Sequence, residues 1–281
     1  MLMRTATAFL ASGLMFGGVA LAQTAPNPTR ADQVPVYKIV VVGRTTPAVN
    51  YRPRHDDTKI DFAGTSLTPK AKGEATVSGE KGHMKIKADF SSLEAPGKFG
   101  PEYLTYVLWA ITPEGRPTNL GEIQVEDKTS DPDLEVTTDL QAFALIVTAE
   151  PYFAVTQPSD AVVLENVARK DTKGDVEFVE AKYELLSRGT YLMNHKVSEM
   201  KSKPIEPGVL LDLAEARNAV ELARFAGADV FATDTFAKAE RLLAQAEDAK
   251  KRDKSDNDVM MPARQAVQTA EDARIIALKR R

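Results

Sequence analysis

The chain has 281 residues, no cysteine and a formal charge of −4. The absent cysteine rules out disulfides, thiolate metal sites, thiol nucleophiles and the lipid-carrying cysteine of an envelope lipoprotein; the missing basic surplus argues against a dedicated nucleic-acid binder. At 43% hydrophobic and 27% charged residues, the composition is that of globular protein, and the length suits two domains.

Residues 1–22 read as a secretory signal peptide. Arg4 supplies the positive start, an apolar stretch runs through 8–21, and Ala20-Leu21-Ala22 forms an A-x-A cleavage site before Gln23. A membrane anchor is the competing reading, but the stretch falls short of the ~20 residues a spanning helix needs and contains Ser12, Gly13, Gly17 and Gly18. Removing the leader takes away Arg4, its one charge, and moves the mature chain from −4 to −5. No later segment is long and apolar enough to span a bilayer. Residues 23–35 hold Pro26, Pro28 and Pro35 among small polar residues and are expected to be a flexible linker.

From 36 to 167 the pattern is that of strands. Residues 36–42 are a β-branched run, 59–63 a short one, and 84–89 alternates apolar and charged side chains with period two. Gly79-Glu80-Lys81-Gly82 predicts a hairpin joining 74–78 to 83–89, and Thr112-Pro113-Glu114-Gly115 one joining 103–111 to 120–125. The segments 103–111 and 143–148 are apolar on nearly both faces, as central strands are. Short strands separated only by turns favour an antiparallel β-sandwich over an α/β sheet. Trp109, the single tryptophan, sits mid-strand, and Phe143 follows Asp139-Leu140-Gln141-Ala142 near a corner, an arrangement that resembles an immunoglobulin-like sandwich without its disulfide or corner tyrosine.

The connector, 168–207, reads as a β-hairpin with strands at 176–186 and 191–196 turned at Ser187-Arg188-Gly189, although Val176, Val179, Tyr183 and Leu186 also fit one helix face. Pro204 and Pro207 mark a boundary, since proline stops both ladder pairing and helix entry.

Residues 208–281 carry small apolar side chains at alternating steps of four and three: Val209, Leu213, Ala216, Val220, Ala223 and Gly227; then Ala232, Phe236, Ala239, Leu243 and Ala246; then Val259, Ala263, Ala266, Ala270, Ala273 and Ala277. That spacing keeps each series on one stripe of a helix, and alanine there lets backbones approach closely. Gly227 is suited to closing the first helix, Thr233 or Asp234 to capping the second, and Asp256 or Asp258 the third. Basic residues in 250–254 complement the second helix's negative end.

Chemistry-bearing patterns are sparse. His55, His83 and His195 are scattered, so metal binding is not expected of them. Asp253, Asp256, Asn257 and Asp258 lack the glycine and bidentate glutamate of a calcium loop and suit helix capping better. Nucleophile elbow, P-loop, dinucleotide fingerprint and H-E-x-x-H are all missing. Glu150 with Glu102, or Asp160 with Glu165, are conceivable hydrolase carboxylates, and Tyr152, Phe153 and Tyr191 conceivable stacking aromatics for which core packing is the simpler role.

Ala214-Glu215-Ala216-Arg217-Asn218-Ala219-Val220, Ala226-Gly227-Ala228-Asp229, Phe236-Ala237-Lys238-Ala239-Glu240-Arg241-Leu242-Leu243, Ala263-Arg264-Gln265-Ala266 and Ala270-Glu271-Asp272-Ala273 resemble a family of uncharacterised alanine-rich helical domains of exported bacterial envelope proteins. Members are often lipoproteins and often sit beside a peptidoglycan-binding domain of the outer-membrane-protein-A type. The resemblance implies envelope residence; wall binding is not carried over, because neither a lipid-bearing cysteine nor such a domain is found in this sequence.

The resulting expectation is a mixed β and α protein in separate domains, an antiparallel immunoglobulin-like β-sandwich followed by a helical hairpin or three-helix bundle. Its expected role is non-enzymatic, structural or partner-binding, in the periplasm or cell envelope. Catalytic, cofactor-binding and metal-ligating residues are not assigned, and no cofactor is expected. The expected partner is an envelope protein or the cell wall, with self-association through the helices a further expectation. The alternative is a carbohydrate- or small-ligand-binding sandwich with the helices as a spacer.

Overall fold

In the computed structural model the described residues are 41–51, 57–80, 82–125, 131–167, 169, 179–201, 205 and 208–281. The expected leader and linker (1–35), His55, residues 170–178 of the connector, and Pro204 and Pro207 lie outside them. Ten strands are present: β1 (Val41–Asn50), β2 (Thr58–Gly64), β3 (Lys72–Glu80), β4 (His83–Ser91), β5 (Thr105–Ile111), β6 (Pro117–Ile123), β7 (Asp133–Thr138), β8 (Ala142–Glu150), β9 (Val162–Val167) and β10 (Val179–Leu186). Four helices follow: α1 (Leu211–Phe225), α2 (Ala228–Phe231), α3 (Thr233–Lys251) and α4 (Asp256–Arg280).

All strand pairings are antiparallel. The path β7-β4-β3-β2-β9-β8-β5-β6 forms one sheet that curls until β6 lies beside β7, so the sheet is nearly barrel-like. β1 joins β8 through Ala142 and Phe143 and carries β10 on its other part. Where β1 hands over to β9 along β8, Leu145 N–H donates to the side chain of buried Asn166 at 3.1 Å, and that amide donates to Pro47 O at 3.2 Å. A side chain thereby completes the ladder at a place where backbone pairing changes partner.

Alternation sorts the side chains. Ile60, Phe62, Ala75, Val77, Ile86 and Ala88 point into the curl, and the register brings Leu108, Val147 and Leu164 to the same face. Closure is tight at Gly121, φ +157°, where an added Cβ would lie 3.3 Å from Val136. The opposite face of β8, β5 and β6 bears Glu150, Thr148, Trp109, Thr105, Asn119 and Glu122, and it too is covered, which is why β5 and β8 are buried nearly end to end. Trp109 lies on this covered face, and its indole N–H donates to Thr148 Oγ1 at 2.8 Å.

The hairpin turns fall where glycine predicts them: Glu80 pairs with His83, and Gly115 N–H donates to Thr112 O at 2.8 Å. The connector differs. Its strand β10 forms, but Tyr191 begins no second strand; Thr190–Leu192 is a 3-10 turn entered through left-handed Gly189, φ +80°, and Val197–Glu199 is another. The cause is burial: Tyr191 and Leu192 turn inward to the core instead of lying along β10.

Among the helices α4 packs extensively on both α1 and α3, which touch each other less. The seam side chains Leu213, Ala216, Val220 and Ala223 of α1, Phe236, Ala239 and Ala246 of α3, and Val259 to Ala277 of α4 are buried within the single chain. Association between copies would therefore have to use other residues. Gly227, φ +83°, ends α1 as expected, its N–H donating to Arg224 O at 2.8 Å. The other caps shift by a residue or more. Ser255, not Asp256 or Asp258, caps α4, accepting from Asp258 N–H at 3.3 Å while its hydroxyl donates to Asp258 Oδ2 at 2.6 Å. α3 has no side-chain cap, because Thr233 donates back to Asp229 O and Val230 O across the short α2. Sheet and helices share one core within the compact unit Tyr37–Arg281. Among the described residues no helix is long and apolar enough to cross a membrane.

Ala266→Leu, at the buried centre of α4, is expected to destabilise the protein by about 1–3 kcal/mol through overpacking, whereas Ala244→Leu on the exposed side of α3 changes stability by less than about 0.5 kcal/mol. Urea unfolding of the two variants checks the difference.

Candidate functional site

The covered face of β8, β5 and β6 meets the helices through a polar layer. At its centre lies an ion pair within α4: Arg274 Nε donates to Glu271 Oε2 at 2.7 Å and Arg274 Nη2 to Glu271 Oε1 at 2.9 Å, with side chains 7% and 2% exposed. Tyr152 OH donates to Glu271 Oε2 at 2.7 Å, and Thr156 donates to Oε1 from both its hydroxyl and its N–H, at 3.1 and 3.3 Å. Burial pushes the Glu271 carboxyl up, but the Arg274 charge and these donors together outweigh it and hold the group below the usual carboxylate range.

The Arg274 guanidinium lies 5.2 Å over the ring of Tyr191, whose hydroxyl donates to Glu150 Oε2 at 3.0 Å. Glu150 is 0% exposed; its Oε1 accepts from Ser159 N–H at 2.7 Å and from Thr148, which in turn accepts from Trp109. Here desolvation wins over the hydrogen bonds, and the carboxyl is pushed up to about 7. Two glutamates in one layer thus have opposite fates, and the difference is one guanidinium.

A second part of the layer lies toward the start of α1. Glu122 on β6 accepts from Thr105 at 2.9 Å and Gln124 at 3.0 Å. Arg264 Nη1 donates to Asp212 Oδ1 at 2.7 Å and to Glu122 Oε2 at 3.5 Å, its guanidinium 3.8 Å over the Phe153 ring. Glu215, one turn beyond Asp212, is 0% exposed and has a side-chain hydrogen bond to the Glu122 carboxyl. Burial first, then the neighbouring Glu122 and Asp212 carboxylates, push its pKa far up against the smaller pull of Arg264, so the group holds its proton. Asn218 fastens α1 to the sheet, donating to Glu102 O at 2.7 Å and Pro151 O at 3.1 Å.

Beside this acidic end opens a groove of about 740 Å³, walled by Pro96, Leu104, Val125, Val209 and Leu210, with Gln124 and Asp212 as polar groups on its rim. Its size lies within the range of small-ligand sites, and such sites are mostly apolar with a few placed polar groups.

The residues singled out in the sequence fare unevenly. Tyr152 and Tyr191 are buried with their hydroxyls bonded to Glu271 and Glu150, and Phe153 lies under Arg264. All three stand in bends or turns beyond a strand, not in one. Glu102 and Glu150 are both buried on neighbouring chain segments, Leu104 N–H donating to Glu150 O at 2.9 Å, and Glu102 is raised chiefly by desolvation. Asp160 lies near Arg188 at 3.7 Å, while Glu165 is opposite Ala63 and Ile146 in the sheet; the two acids do not face each other across a cleft. His83 lies 3.5 Å from Glu80, and His195 stacks on Phe225 at 4.1 Å while bonded to Glu199. Among the described residues no cluster of three or more His, Asp or Glu is placed to hold a metal ion. The groove and the Glu271–Arg274 pair were not anticipated from sequence. No protein-family model matches the chain, and comparisons with curated proteins and with solved structures find no match.

Removing one member of the buried pair leaves the other uncompensated, so Arg274→Met is expected to cost about 3–5 kcal/mol, and the double variant Glu271→Gln/Arg274→Met distinctly less. Urea unfolding of both variants measures this. The raised Glu150 has a further consequence. Its proton is held more tightly in the fold than in the unfolded chain, so its contribution is full below about pH 4.5, declines as pH rises, and is lost above about 7. Wild type should lose roughly 3 kcal/mol from this group between pH 4.5 and 8. Glu150→Gln should remove that share of the slope, and parallel stability curves for the two proteins would contradict the assignment.

Proposed function

We propose that this is a non-enzymatic, exported cell-envelope protein that binds a partner or ligand in the groove beside α1, with the helices as the module that fixes the groove's far wall. The observation that carries this reading is a division of labour among side chains. Carboxyls and phenols suited to catalysis are withdrawn: Glu150, Tyr152 and Tyr191 are buried and hydrogen-bonded beneath the helices, and Glu271 is held in its ion pair with Arg274. The apolar groove, in contrast, is open. A hydrolase needs its acids where a substrate can reach them.

Export and envelope residence are supported by the leader-like residues 1–22 and by the resemblance of the alanine-rich helices to those of exported envelope proteins. The immunoglobulin-like sandwich keeps as its support Trp109 in the middle of a central strand and Phe143 at the entry to the next; a single curled sheet serves equally well as a binding platform. Of the stacking aromatics of the carbohydrate-binding alternative, Tyr152 and Tyr191 are buried and half-buried Phe153 lies under Arg264, whereas a small apolar ligand has a place in the groove.

The full chain fused at its C-terminus to alkaline phosphatase, an enzyme that matures only outside the cytoplasm, should be active in cells. A photo-cross-linking residue at Val125 in the groove should give a discrete adduct in the envelope fraction, and the same residue at Lys254, in the α3–α4 turn, none. Inactive fusion would remove the export reading; equal labelling from both positions would remove the groove.

A further inference from the structure

The groove beside α1 is apolar along its length and acidic at one end. Leu104, Val125, Val209 and Leu210 supply the apolar walls, and Asp212 and Gln124 stand where they meet the polar layer. Around Asp212 three carboxyl groups, its own and those of Glu122 and Glu215, gather about one cation, Arg264. Arg264 Nη1 serves both Asp212 Oδ1 and Glu122 Oε2, and its guanidinium lies 3.8 Å over the Phe153 ring. It takes one oxygen of Asp212 and leaves the other.

Glu215 adds to the acidic character of this end. It is sealed from solvent and lies against Glu122 and Asp212, with a side-chain hydrogen bond to Glu122. With the proton retained on Glu215, the cluster still carries one more negative charge than positive.

We propose that the groove takes an apolar monoamine, its hydrocarbon or aryl body along Leu104, Val125, Val209 and Leu210 and its ammonium donating to Asp212 Oδ2. The proposal rests on the groove being the binding surface and specifies the ligand's chemistry. An ammonium supplies three donors and the missing positive charge. A carboxylate head would instead meet the acidic group. The start of α1, which has no side-chain cap, offers an anion only about half a charge of attraction, and Asp212 in its first turn already answers that.

The test uses the full chain and three probes of equal chain length, decylamine, decanol and decanoate, below micelle-forming concentrations. Each displaces a neutral fluorescent reporter, N-phenyl-1-naphthylamine, at pH 7. The expected order is decylamine at least about tenfold tighter than decanol, with decanoate weakest. Asp212→Asn should bring decylamine to the decanol level and leave decanol unchanged, while Val125→Trp should abolish displacement by all three. Since Asp212 also anchors Arg264, a second variant guards against misfolding: Gln124→Glu adds a rim charge and should tighten decylamine alone. Equal affinity for the three heads, preference for decanoate, or indifference of decylamine to Asp212→Asn would each overturn the proposal. If the reporter and all three probes fail to bind while Val125 still cross-links in the envelope, the ligand class is wrong and the groove stands. Failure of both overturns the groove as well.

Discussion

The constraint on which the rest of the molecule depends is that a sheet face carrying acids, hydroxyls and amides is covered by helices. On the outer side of β8, β5 and β6, Glu150, Thr148 and Thr105 are buried and Asn119 and Glu122 half-buried, and each finds a partner within the sheet face or in the bend and helices above it. Glu271 and Arg274 act one step further out, holding Tyr152 and Thr156 of the adjoining bend and lying over Tyr191, which in turn bonds Glu150. A buried ion pair is no source of net stability by itself, since desolvating two ions costs several kcal/mol apiece. Its value here is positional. Five donor contacts converge on one carboxylate from α4 and the 152–156 bend, and few placements of α4 satisfy all of them at once.

That requirement shapes the helices. α1 and α4 each bury two stripes, not one. The alanine stripe packs helix on helix, and a neighbouring stripe, Asp212, Glu215 and Asn218 on α1 and Arg264, Glu271 and Arg274 on α4, addresses the sheet. Small residues suit the first stripe for a reason beyond close packing. A bulky helix–helix seam would push α1 away from α4 and pull one of the two polar stripes out of register with the sheet, whereas alanine leaves that distance to be set by backbone contact.

The order of elements and the alanine seams were readable in the sequence because they rest on local periodicity. Alternation in 84–89, glycine at 79, 82 and 115, and steps of four and three from Val209 to Ala277 each report one element's own geometry. The polar stripe was not read, although it obeys the same rule: Arg264, Val267, Glu271 and Arg274 follow steps of three, four and three, one residue displaced from the seam. Charged residues at that spacing ordinarily mark a solvated face, and only the sheet's position turns it into a buried one. The connector failed for a related reason. Tyr191 and Leu192 have strand-like composition, yet the hydroxyl of Tyr191 has its acceptor, Glu150, beneath it instead of across a ladder. The groove is formed by Pro96, Leu104, Val125 and Val209, distant in sequence, and no periodicity reports such a meeting.

The three glutamates of the layer reach different charge states from the same burial. Glu271 is ionised because Arg274 faces it, while Glu150 and Glu215 are pushed toward neutrality because no cation sits close enough to repay their desolvation. Perturbed carboxyls often mark active sites, where burial tunes a proton that the substrate must reach. Here Glu150 and Glu215 are closed off from solvent, and the same physics bears on the placement of the helices. Each acid in the layer helps decide where α1 and α4 sit, and the position of α1 in turn decides how far Leu210 and Val209 stand from Leu104 and Val125. The buried polar layer thereby sets the spacing of the groove's apolar walls, and Asp212 and Gln124 are where that layer borders the groove.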